Sequence, residues 1–191
     1  MAKTKQTYSN TNTVTPKAQA IWPCLSEPDE YSEKYQIGVE VDENDPAWEP
    51  VLKSLLDFQN DCLRAAGEDT QDTLIALKPI REKNEKTDKY EDTGRRQLIF
   101  KQADRNKVKV VGADKSPFTE TVNHGAVVRV NGQPAFGFMK GDPYVTLYLS
   151  AVQVIENGSA AGVDAFDDET DGGGGGDGFD DETDHNSVEL A

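Results

Sequence analysis

The chain has 191 residues, 35 acidic and 20 basic, giving a formal net charge of −15, which taken whole argues against a simple nucleic-acid binder. With 36% hydrophobic residues and a mean hydropathy of −0.68, part of the chain is expected to stay unfolded. No apolar run approaches the roughly 18 to 20 residues of a membrane span, and polar Met1–Asn12 lacks the apolar centre of a secretory signal, so the chain reads as soluble and intracellular.

Residues 1–12 read as a flexible N-terminus, and Lys3, Lys5 and Lys17 make the first 23 residues purely basic. The folded domain is expected over residues 13–156. Val14 to Trp22 suggests a strand interrupted by Pro16, which fits an edge or a bulge. Tyr35, Ile37, Val39 and Val41 alternate with polar or small residues, the period of two of a half-buried strand. Asp45 and Pro46 read as a helix start. Trp48, Leu52, Leu55, Phe58, Cys62 and Ala65 then recur every three or four residues up to Gly67, an amphipathic helix with Trp48 in the core. The segment 24–77 holds 14 acids against 3 bases.

From 78 to 115 the sign reverses, with 12 bases against 7 acids. Arg81 to Gly94 is too charged for a core element and reads as a mobile loop or arm. Three β-rich stretches follow: Arg95 to Gln102, Val108 to Val111, and Gly125 to Met139, the last broken by an Asn131-Gly132 turn signal. Val145 to Ile155 is the last strand. The sum is a mainly β fold, an OB-fold-like five-stranded barrel with one amphipathic α-helix. Residues 157–191 are expected to form a disordered acidic tail. Residues 151–191 hold 12 acids and no base, and Phe166–Asp171 and Phe179–Asp184 repeat one hexapeptide across a glycine run.

Cys24 and Cys62 suit neither a disulfide framework nor a CxxC motif and read as reduced and partly buried. The two histidines, His124 in a loop and His185 in the tail, offer little for a triad or a zinc site, so no enzyme, metal or cofactor is expected. A calcium site fits poorly, because Gly172 to Asp180 resembles a single copy of a repeat that works only when stacked. A DNA-mimicking inhibitor, its acidity the functional surface, is the other alternative.

Single-stranded nucleic acid binds where a positive groove follows the phosphates and aromatic faces stack on bases. Arg95, Arg96, Lys101, Lys107, Lys109, Arg129 and Lys140 can line such a groove, although basic residues in β-rich loops are most often a solvated surface. Phe136 and Phe138, two apart, share a face if extended and are as readily core as stacking platform; Tyr148, Trp22 and Tyr90 are weaker stacking candidates. The tail fits as a tethered polyanion that competes for the groove.

Ile21-Trp-Pro-Cys-Leu25 with Glu27-Pro28, Lys34-Tyr35 and Val39-Glu-Val41 resemble the N-terminal signature of phage-encoded single-stranded DNA-binding proteins with an OB-fold. Lys78-Pro79, Gly125 with Val127 and Val128, and Leu149 with Val152-Gln-Val154 are similar downstream, so the resemblance spans about residues 14 to 156. It implies binding of single-stranded DNA without strong sequence preference in phage replication, recombination and repair, in the cytoplasm of the bacterial host. It also implies a tail that contacts replication partners such as DNA polymerase or helicase. Tails of this kind often end in an aromatic residue; this chain ends Ser187-Val-Glu-Leu-Ala191, and Phe166 and Phe179 stand as the substitute docking residues.

Overall fold

The computed structural model describes residues 6–84, 86–103 and 107–158, so the docking candidates Phe166 and Phe179 lie outside the described residues. The elements in chain order are β1 (Thr7–Tyr8), β2 (Thr13–Val14), β3 (Ala18–Asp29), β4 (Lys34–Val41), α1 (Glu49–Ala66), β5 (Leu77–Asn84), β6 (Lys89–Ala103), β7 (Lys109–Val111), β8 (Val127–Met139) and β9 (Asp142–Glu156). Five of them close a ring: β3 pairs with β4, β4 with β6, β6 in parallel with β9, β9 with β8, and β8 with β3. The fold is the expected mainly β one, a ring of five strands with one helix.

The ring is filled by the inward residues of alternating strands. Ile37, Val39, Leu98, Phe100, Val128, Val130, Leu147, Leu149, Val152 and Val154 are all buried in one cluster. Burial of each such side chain contributes roughly 1.5 to 3 kcal/mol. Because strand side chains alternate, this inner set also fixes which residues face out.

The helix closes part of the barrel with Leu55, Gln59 and Leu63, spaced four apart and fully buried; Trp48 joins the same core. Gln59 is polar, yet it is satisfied. Its Oε1 accepts from the Ile75 amide at 2.8 Å and its Nε2 donates to the Thr73 carbonyl at 2.9 Å. Asn60 does the same for Gln71, so two adjacent amides hold the 71–75 loop to the helix. The helix begins at Glu49 rather than at Pro46. Asp45 closes a separate turn, its Oδ1 accepting from Ala47, and Pro50 takes the first helical turn.

Other expectations need correction. Within residues 1–12, expected as a flexible N-terminus, Thr7 and Tyr8 pair with Phe136 and Ala135 of β8. Pro16 separates two strands, β2 and β3, that follow the same edge of β8. The charged stretch from Arg81 is a β-hairpin, β5 with β6, because Arg81, Glu82, Lys83 and Asn84 find ladder partners in Asp92, Glu91, Tyr90 and Lys89. Asn131-Gly132 is no turn. β8 runs through it with a register shift, and the hairpin turns at Lys140 and Gly141, both at positive φ.

Gly132 is required by packing. A Cβ there would lie 2.5 Å from Phe100 Cδ1 and 2.6 Å from the Tyr148 carbonyl oxygen, one partner a core ring and the other backbone. Gly132→Ala is therefore expected to destabilise the protein by about 1 to 3 kcal/mol in equilibrium urea unfolding. Gln59→Ala, which orphans the Ile75 amide and the Thr73 carbonyl, is expected to cost a similar amount, about 1 to 3 kcal/mol. Unchanged midpoints would show that neither contact constrains the fold.

Candidate nucleic-acid interface

The register that fills the barrel composes its outer face. Gln36 of β4 lies between Cys24 of β3 and Lys101 of β6; Gly38 lies between Ile21 and Ile99; Glu40 lies opposite Gln97. The Ile21–Gly38–Ile99 row has Lys34, Gln36 and Lys101 on one side and Gln97, Glu40 and Arg95 on the other; Ile21 is 2% exposed and Gly38 buried, so half-buried Ile99 is the apolar side chain of this row that reaches solvent. Gly38 admits its neighbours closely: a Cβ there would lie 2.3 Å from Gln97 Oε1 and 3.1 Å from Ile21 Cβ. In barrels of this class the second and third ring strands, with the loops joining first to second and fourth to fifth, take oligonucleotides. Here those are β4, β6, the 30–33 loop and the Lys140–Gly141 turn.

Two aromatics border this face. Trp22 sits where β3 slips register against β4 between Ile21 and Cys24, at φ +45°, and is 64% exposed. Its ring stacks on His124 with centroids 4.4 Å apart and planes 20° apart. Tyr31 is 95% exposed at the tip of the β3–β4 hairpin. That hairpin is tied by Asp29, whose Oδ2 accepts from the Ser32 amide at 2.8 Å and whose carbonyl accepts from Glu33. The Ser32 hydrogen bonds, with Lys101 nearby, hold the Asp29 carboxyl below its ordinary value.

The residues singled out in the sequence divide. Lys101 and Trp22 come together on the β3–β4–β6 side. Arg95 is there too but occupied: Nε and Nη2 bond Glu40 at 2.6 and 2.5 Å, and Nη1 reaches Glu82 at 3.2 Å. Arg96 is paired with Asp92 at 3.1 Å. Lys140 is exposed at the β8–β9 turn, Lys107 and Lys109 are exposed at the entry to β7, and Tyr90 is 69% exposed on the β5–β6 hairpin. Arg129 is exposed near the start of β8, its Nε donating to the Thr15 carbonyl.

Phe136 and Phe138 do share a face, but it is the inner one. Phe136 is 3% exposed within the core, and Phe138 packs edge-on against it at 5.3 Å. Inward orientation removes Phe136 as a stacking surface. Tyr148 is covered by the N-terminal strand: its ring stacks with Tyr8 at 5.7 Å, and its hydroxyl donates to Gln6 Oε1 at 2.8 Å. Both cysteines are free and half-buried, and burial pushes each thiol up. Among the described residues no helix is long and apolar enough to cross a membrane.

Sequence reasoning missed Tyr31, Lys34, Gln36, Gln97, Ile99 and the pairing of His124 with Trp22. The period of two through Lys34 to Val41 carried part of the signal, since it names the outward residues once a strand is assigned.

No family model and no curated protein matches the sequence. The fold, in contrast, is similar to solved structures. The single-stranded DNA-binding protein encoded by bacteriophage T7 superposes with a TM-score of 0.57 at 15% identity, covering 89% of this chain and 100% of that one. The single-stranded DNA-binding protein from bacteriophage Enc34 gives 0.58 at 12% identity, covering 85% and 96%. The same Enc34 protein in complex with single-stranded DNA gives 0.54 at 13% identity, covering 79% and 89%.

The Glu40–Arg95 pair makes a prediction about pH. Hydrogen bonds from Arg95 hold the Glu40 carboxyl below its ordinary 4.5 in the folded protein. Its stabilisation is complete above that value and is lost as pH falls through the lower folded value. Half-exposure of Arg95 limits it to less than about 1 kcal/mol. Glu40→Gln is expected to lose less stability than the wild type between pH 6 and the acid limb of a denaturation series (roughly pH 3). Parallel pH profiles would show that the pair contributes nothing.

Proposed function

We propose that this protein binds single-stranded DNA, without strong sequence preference, along the outer face of β3, β4 and β6, and acts by stoichiometric coating rather than catalysis. The observation that carries the reading is the composition of that face: Lys34 and Lys101 beside half-buried Ile99, with two exposed aromatics, Trp22 on β3 and Tyr31 on the β3–β4 hairpin. Aromatic faces accept any base and lysines follow phosphates, which is the chemistry of sequence-tolerant single-strand binding. The fold shared with the phage proteins supports the same reading.

In this account the protein serves phage DNA replication, recombination and repair in the cytoplasm of the bacterial host. The acidic residues beyond 158 compete with DNA for the face and recruit replication partners such as polymerase or helicase through Phe166 and Phe179. Lys140 at the β8–β9 turn and Lys107 and Lys109 near β7 extend the positive surface. Tyr90 supplies a contact on the hairpin arm. Arg95 and Arg96 join only if phosphate displaces their carboxylate partners.

The two tryptophans make the test direct, because Trp22 is 64% exposed and Trp48 2%. Titration with poly(dT) is expected to quench intrinsic fluorescence, and Trp22→Ala to abolish the quench. Loss of one stack, about 1 to 3 kcal/mol, lowers affinity about 5- to 150-fold. Affinity of the wild type should fall steeply with salt, and a chain ending at Gly158 should bind more tightly. Absence of binding at low salt, or an affinity indifferent to salt, would sink the reading.

A further inference from the structure

Trp22 has a conformation that bulky residues rarely adopt. At φ +45° its backbone lies in the left-handed region, where a large side chain is strained unless its surroundings over-determine it. What surrounds it is a short, heavily bonded turn. The Gly125 amide donates to the Ala20 carbonyl at 2.8 Å, and the Ala20 amide donates back to the Ala126 carbonyl at 2.8 Å. Asn123 is held from the other side: its amide donates to Asn157 Oδ1 at 3.1 Å and its Nδ2 to the Gly158 carbonyl, while Asn157 Nδ2 donates to the Thr121 carbonyl. His124 projects from the middle of this turn.

His124 touches Trp22 twice. Its imidazole lies nearly parallel to the indole at 4.4 Å, and its Nδ1 accepts from the Trp22 amide at 3.3 Å. The amide contact is long, so the ring contact is the stronger constraint. One side of the indole is thereby occupied, while the side chain as a whole stays exposed. A platform that is already flat, oriented and covered on one side loses little conformational freedom when a base arrives on the other.

We infer that His124 is the positioning residue of the base-stacking platform: its ring backs Trp22 so that an unpaired base completes a three-layer stack of imidazole, indole and base. This rests on the single-strand reading above and names a residue through which that face distinguishes a base from bare backbone. It requires His124 to act through its ring, with no chemistry of its own.

The experiment compares the full chain and its variants on oligo(dT) and on an abasic oligomer of equal length and charge. The wild type is expected to prefer oligo(dT), and Trp22→Ala to cut that preference about 5- to 150-fold. His124→Ala should cut it about fivefold, with affinity for the abasic oligomer and melting temperature unchanged. His124→Phe keeps a ring and should restore the preference, whereas His124→Asn keeps an acceptor without the ring and should not. Equal loss on both oligomers, rescue by Asn rather than Phe, or an unchanged preference in His124→Ala would each overturn the inference while leaving the single-strand reading intact. A wild type that shows no preference, or no binding, would remove the reading and the inference together.

Discussion

The barrel depends on one close approach, the ring of Phe100 lying against Gly132 where any side chain would collide. β8 must serve β9 along one edge and β3, β2 and β1 in turn along the other, and a strand with that many partners has to coil. The register slips at Asn131–Gly132, and the missing side chain admits Phe100 from β6. Phe100 also pairs with Leu147 at the parallel β6–β9 seam that completes the ring. With Phe100 pointing in, Ile99 and Lys101 on either side of it must point out. Packing inside the barrel therefore dictates the composition of its outer face.

Electrostatics on that face are weaker than the basic central segment suggests. Arg95 is shared between Glu40 and Glu82, Arg96 is held by Asp92, and Lys83 pairs with Asp88. Exposed pairs of this kind contribute little to stability, but they do remove charge from the field a phosphate would meet. Lys34 of β4 and Lys101 of β6 remain on this side, and Lys78 of β5 lies opposite Gln97. If single strands bind this face as proposed, its modest positive charge leaves more of the affinity to stacking contacts, which places weight on Trp22 and Tyr31. The surplus of acid lies mainly in the sequence beyond residue 158.

The alternation in β4 and the stripe of α1 were legible because each is a local pattern. Ring order and the Gly132 bulge were not, since Asn-Gly signals a turn locally and only the distant Phe100 makes it a bulge. The β5–β6 hairpin was hidden for a related reason: its charges resemble a solvated loop until they find cross-strand partners. Phe136 was misplaced because a period of two states that Phe136 and Phe138 share a face without saying which. The Trp22–His124 contact had no sequence signal, as it joins residues 102 apart in the chain.

The central claim is that single strands lie on the β3–β4–β6 face. Its most direct test is a backbone and indole amide NMR titration of the labelled protein with oligo(dT). The account predicts the largest shifts at the Trp22 indole and at Gln36, Gly38, Ile99 and Lys101, with Trp48 and the Tyr8–Tyr148 side of the barrel nearly silent. Shifts concentrated on β8 and β9 around Tyr148, or along α1, would contradict it.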